Sequence, residues 1–224
     1  NITGIMLSLV GIVMVAISKR ELGENFNMAI GRPGEPGSIF KAVTLAALLE
    51  DGKVKLSNRI PTNHGRIAEM PEITADHYIT DWERNKKTSS ISIQDGFKIS
   101  SNYVFRRLVL DHYGDKPEKF IDKLYEYKLN DAYAFDLEEK GGTKSRVPDP
   151  KSSGWSRSTL PSTAIGYSVM ETPLNIVTFY NAIANKGKMM KPYLVESIEK
   201  EGDIIERFKP EILNGAICSK ATAD

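Results

Sequence analysis

One cysteine, Cys218, in 224 residues excludes an internal disulfide and leaves the compartment open; a buried structural thiol is the default reading. Histidine is scarce as well. His64, His77 and His112 stand apart, with no Cys or His at metal-ligand spacing, so no metal site is expected. Neither sign of charge dominates: 30 Lys and Arg against 29 Asp and Glu leave +1, which gives no electrostatic reason to expect nucleic acid. Long apolar runs are missing with one exception. Ile2–Ser18 carries no charge but is slightly short of the ~20 residues of a membrane span. Gly4 and Gly11 divide it into pieces that suit buried strands, so it is read as strands in preference to an anchor. No basic leader or cleavage site marks a signal peptide. Trp82, Trp155 and the tyrosines read as core or cleft-wall residues.

With 41% hydrophobic residues the chain can build a real core, in one domain or a little more. Its most informative stretch is Glu35-Pro36-Gly37-Ser38-Ile39-Phe40-Lys41, running into Ala-Val-Thr-Leu-Ala-Ala-Leu-Leu. Pro36 and Gly37 favour a turn. Phe40, Val43, Thr44, Ala47 and Leu48 then recur at helical spacing, and Asp51-Gly52 supplies a stop. Ser38 and Lys41 therefore share one face of a first turn. The bland alternative makes Ser38 an N-cap and Lys41 a solvated residue. Against it, the helix is apolar almost all round, so its first turn should face a cleft. A lysine buried beside a helix N-terminus loses basicity, as a general base near neutral pH must.

A second element lies sixty residues on. Ser89–Ile99 reads as a short helix with Ile93 and Phe97 on one side, and Tyr103–Leu110 as another that closes near Tyr113-Gly114. Ser100-Ser101-Asn102 lies between them. Taken alone, the tripeptide is a capping turn. The functional reading gives the Ser100 hydroxyl a proton relay near Lys41, and has the Asn102 amide hold a substrate amide and fix the lysine.

Beyond these, Pro117–Tyr127 reads as an amphipathic helix through Phe120, Ile121, Leu124 and Tyr127. Gly141–Leu160 is a long loop rich in Gly, Ser, Pro and Lys. Thr172 is a good N-cap with Pro173 at the first helical position, and Gly187 ends that helix. Tyr193–Lys200 alternates like a strand, Glu201-Gly202-Asp203 turns, and Ile204–Phe208 runs back as a hairpin.

Ser38-x-x-Lys41 and Ser100-Ser101-Asn102 resemble the Ser-x-x-Lys and Ser-Asp-Asn elements of penicillin-binding proteins and serine β-lactamases, with Ser rather than Asp in the middle of the second. Ala164-Ile165-Gly166-Tyr167-Ser168-Val169-Met170-Glu171-Thr172-Pro173-Leu174-Asn175 resembles the segment that opens a long helix in penicillin-binding transpeptidases. Ala184-Asn185-Lys186-Gly187 resembles the segment that closes it, and Met189-Met190-Lys191-Pro192 follows. The likeness runs from about Asn27 to Thr222 and looks closest to the class B, cell-division (septal) members. It implies an α+β penicillin-binding fold, an antiparallel sheet flanked by helices, with 1–224 as a partial transpeptidase domain. Residues 1–26 would be sheet strands or a residual preceding segment.

The resemblance further implies peptidoglycan D,D-transpeptidation without a cofactor. Ser38 would be the nucleophile, Lys41 the base, Ser100 the relay and Asn102 the substrate contact. Stem peptides, β-lactams and other cell-wall or division proteins would be the partners. The parent protein would be membrane-anchored, with this domain on the extracytoplasmic side. One departure stands out. The family's Lys-Thr/Ser-Gly strand should follow the hairpin, yet Asp224 is reached without it, so the chain is expected to be a fragment that acylates poorly. Lys151-Ser152-Ser153-Gly154 comes too early and in loop-like sequence. Two rivals share the motifs: a β-lactamase or β-lactam sensor, and a catalytically silent scaffold. A class A lactamase needs a deacylating glutamate, and Glu211 is a poor candidate because it follows the Thr-Pro-Leu helix.

Overall fold

The computed structural model describes residues 27–133 and 143–224, in two compact units. Ile2–Ser18, read as strands, lies outside the described residues. One unit comprises Glu35–Lys123 and Pro148–Val169; the other comprises the chain up to Gly34, Leu124–Val147 and Met170–Asp224.

The first unit is mainly helical. A 3₁₀ turn, Gly37–Phe40, leads into α1 (Lys41–Glu50). All five positions of the expected helical face, Phe40, Val43, Thr44, Ala47 and Leu48, are fully buried. Thr44 resolves its own polarity by donating its hydroxyl to the Ala164 carbonyl at 2.9 Å. Next come β1 (Arg59–Pro61), α2 (His77–Lys86), β2 (Ser90–Ser92), α3 (Ile93–Lys98) and α4 (Asn102–Tyr113). Ser89–Ile99 was expected to be helix throughout. Instead Ser90–Ser92 pairs antiparallel with Arg59–Pro61, and the helix begins only after Ser92. Ser92 accepts the Asp95 amide at 3.0 Å and donates to the Asp95 carboxylate at 2.6 Å, so its side chain sets that start. The pattern of α2 is weak, since Ile79 is its one buried residue.

α5 (Pro117–Glu126) matches its expected span, and Phe120, Ile121, Leu124 and the following Tyr127 are buried. Of the Gly141–Leu160 loop, the described residues from Thr143 run without helix until α6 (Thr159–Thr163), a single turn that the loop composition concealed.

In the second unit α7 (Pro173–Ala184) starts as expected, with Thr172 Oγ1 accepting the Asn175 amide at 3.2 Å and Pro173 in the first turn. Lys186 and Gly187 both take positive φ beyond its end, and the Gly187 amide bonds back to Ala182 at 2.8 Å. Cys218 is buried there. The strands are β3 (Met189–Met190), β4 (Ser197–Lys200), β5 (Asp203–Arg207) and β6 (Ile212–Asn214). β4 and β5 form the expected hairpin, and β3 pairs with β6. The described strands thus make three two-stranded antiparallel pairs in an α+β fold rather than one continuous sheet.

Candidate active site

Ser38 stands in the 3₁₀ turn before α1, exposed, while Lys41 one turn on is 1% exposed. The cap positions of the turn and of α1 are Pro36 and Phe40, and no side chain caps either. Capping therefore does not occupy the Ser38 hydroxyl. Gly37, at φ 61°, donates its amide to the Gly166 carbonyl at 3.0 Å, and Glu35 Oε1 accepts the Ser168 amide at 2.9 Å. The Gly166-Tyr167-Ser168 segment thereby straps the turn that presents the serine.

Lys41 Nζ lies 3.1 Å from Ser38 Oγ, 3.0 Å from Ser100 Oγ and 2.5 Å from the Ser100 carbonyl oxygen. These three acceptors use all three donors of an ammonium. Ser100 presents both of its oxygens because its backbone is left-handed, at φ 56°, a conformation that costs a non-glycine residue about 1 kcal/mol or more. Desolvation by burial lowers Lys41 from 10.5 to about 8; Asp76 pulls the other way and Arg106 adds to the lowering. Near neutral pH a useful fraction of the amine is thus uncharged, as a base requires.

Asn102 opens α4, half-buried, and makes no hydrogen bond to Lys41. The expectation that its amide fixes the lysine is replaced by a backbone contact, the Ser100 carbonyl. Capping falls to the middle residue of the tripeptide. Ser101 is fully buried, accepts the Val104 amide at 3.1 Å and donates to Asp76 Oδ2 at 2.7 Å. Ser100 and Asn102 are left free of that structural duty.

Asp76 is the residue that sequence reasoning missed. It caps α2 through the Tyr78 amide at 3.0 Å, and it accepts the Ser101 hydroxyl and the Tyr103 amide at 2.9 Å. One buried carboxylate thus ties two helix starts to the Ser100 turn. An acidic residue before a weak helical pattern hints at a cap; nothing local hints at a contact across 25 residues.

The other residues singled out in the sequence have the following surroundings. His64 is exposed against Glu83 at 2.8 Å, and His77 stacks on Tyr78. No group of His, Cys, Asp or Glu among the described residues could hold a metal ion. Trp82 is half-buried and donates to the Ser90 carbonyl at 3.2 Å. Glu211 is exposed and pairs with Lys191 at 2.9 Å, which does not suit a deacylating base.

Comparison with known proteins bears on the fold and the family. Penicillin-binding protein PbpB of Mycolicibacterium smegmatis is 27% identical over 194 residues, which is 86% of this chain and 27% of that protein. PbpB of Mycobacterium tuberculosis is 27% identical over 83% of the chain and 25% of its own length. The chain therefore spans about a quarter of these relatives. Among solved structures, the imipenem acyl-enzyme of penicillin-binding protein A from M. tuberculosis superposes with a TM-score of 0.72 at 22% identity, covering 93% of this chain and 46% of that one. Penicillin-binding protein 3 from M. tuberculosis, complexed with ampicillin, does so at 0.69 and 25%, covering 89% and 41%. Residues 11–224 match the model of the penicillin binding protein transpeptidase domain, and the chain belongs to that family.

Proposed function

We propose that this chain carries the acylation machinery of a peptidoglycan D,D-transpeptidase working through a serine acyl-enzyme. The observation that carries the reading is one desolvated amine, Lys41 Nζ, within hydrogen-bond reach of two hydroxyls, those of Ser38 and Ser100. In its neutral form the amine keeps an N–H on the Ser100 carbonyl, which can only accept. Its lone pair takes the Ser38 proton as Oγ attacks the penultimate D-alanine carbonyl. The tetrahedral oxyanion collapses and the C–N bond breaks. The leaving D-alanine nitrogen takes the Ser100 proton, and Ser100 recovers one from the Lys41 ammonium. An amine from a neighbouring stem peptide then attacks the ester. Its proton passes through Lys41 to Ser38, which departs as the alcohol and leaves a new cross-link. Asn102 holds the donor amide, and no cofactor is called on.

β-Lactams would acylate Ser38 by the same route. Peptidoglycan as substrate puts the domain on the extracytoplasmic side of the membrane, with the parent protein anchored there. The septal role, with division proteins as partners, rests on the motif resemblance.

The test uses the full-length protein and a fluorescent penicillin, with the adduct mapped by mass spectrometry after digestion. A persistent adduct on Ser38 that Ser38→Ala removes is the expected result. Rapid loss of the adduct with hydrolysed penicillin would make the protein a β-lactamase. Labelling on Ser100, or labelling that survives Ser38→Ala, would overturn the assignment, and a folded protein with no adduct would be a scaffold.

A further inference from the structure

Arg106 follows Asn102 by four residues on α4, so the two side chains share a face. Both line a groove of about 450 Å³ whose other wall is the segment 72–78. The acids of that wall are already committed. Glu72 pairs with Arg157 at 2.8 Å. The Asp76 carboxylate is taken up by Tyr78, Ser101 and Tyr103. The Arg106 guanidinium, by contrast, makes no ion pair or hydrogen bond with any described residue, and its Nε is buried without a partner. Burial lowers its basicity, which Asp76 and Tyr167 only partly offset. Only Nε is sealed from solvent; the side chain as a whole is half-buried, so its two terminal nitrogens remain open to an acceptor. The groove thus holds a cation that no side chain of the described residues pairs, open to an anionic ligand. The start of α4, a twelve-residue helix, adds a partial positive charge at Asn102.

We propose that Arg106 extends the donor site beyond Asn102, taking a side-chain carboxylate of the stem peptide whose backbone amide Asn102 holds. The inference rests on the transpeptidase reading above. Guanidinium presents a planar fork that a carboxylate fills with two charge-assisted bonds, whereas a carboxamide of the same shape fills it with one neutral acceptor. The groove would therefore tell a stem peptide with a free acid from its amidated counterpart.

The experiment compares two synthetic donors on the full-length protein. They end in D-alanyl-D-alanine and differ only by carboxylate or carboxamide on the side chain of the preceding residue. D-alanine release gives kcat/KM for each. The expected preference for the acid is tenfold or more, about 1.4 kcal/mol. It should fall to near unity in Arg106→Gln and be partly kept in Arg106→Lys. The ratio is taken within each variant, so any change at Lys41 cancels. Should Arg106→Gln fail to fold, the wild-type ratio still decides, because a value near one overturns the subsite. Penicillin acylation of Ser38 is read in parallel. Its presence without an acid preference sinks the subsite alone, and its absence sinks the transpeptidase reading beneath it.

Discussion

Gly166 lies so close to Gly37 that a Cβ on it would stand 2.1 Å from the Gly37 carbonyl oxygen and 2.6 Å from its nitrogen. Its φ of 81° is a second reason for glycine. The segment before α7 is thereby explained as a strap on the nucleophile turn. Gly166→Ala must move the backbone that carries Ser38. Stability should fall by about 2–4 kcal/mol in denaturant titration, and penicillin acylation of the folded fraction should fall at least tenfold.

The acylation rate should depend on the neutral fraction of Lys41. Because burial holds this amine at about 8, the rate rises with pH through that value and levels above it. Lys41→Arg keeps the charge but cannot give up its proton, and should reduce acylation by about 10³-fold or more. Stopped-flow acylation across pH 6–10 checks both. A flat profile, or an arginine variant within a few-fold of wild type, would make Lys41 a charge and nothing more.

Asp76→Asn removes a negative charge that raises Lys41, so the midpoint of that profile should shift downwards from about 8. The Ser100 turn also loses a charge-assisted anchor at Ser101 and Tyr103, so the plateau rate should drop about tenfold. A purely structural role would lower the plateau and leave the midpoint in place. The pH profile separates the two.

Glu171, in the other unit, is 3% exposed, and burial pushes its carboxyl up to about 9, with Ser145 acting the other way. In the folded state it holds a proton that the unfolded chain releases above its ordinary value of about 4.3. The unfolded state therefore binds fewer protons in between, and stability falls as pH rises from there towards 9. Glu171→Gln should raise stability by about 1–3 kcal/mol at pH 7.5 and change little at pH 4. Thermal melts at the two pH values check the sign.

What the sequence alone determined is whatever repeats or signals locally. The buried face of α1, the i, i+3 pairing of Ser38 with Lys41, the Thr172-Pro173 helix start and the β4–β5 turn depend on neighbours within a few residues, where side-chain periodicity and capping chemistry act. Tertiary structure decided the rest. Ser90–Ser92 became a strand because Arg59–Pro61 lay beside it, not because its own pattern demanded it. The lysine found its anchor in a backbone carbonyl 59 residues away, a group every residue carries and no sequence marks. Asp76 acquired its role through burial and through the groups that stand within hydrogen-bond distance of it. Contacts of that kind are made by folding, when desolvation turns an ordinary acid or base into one that must find a partner.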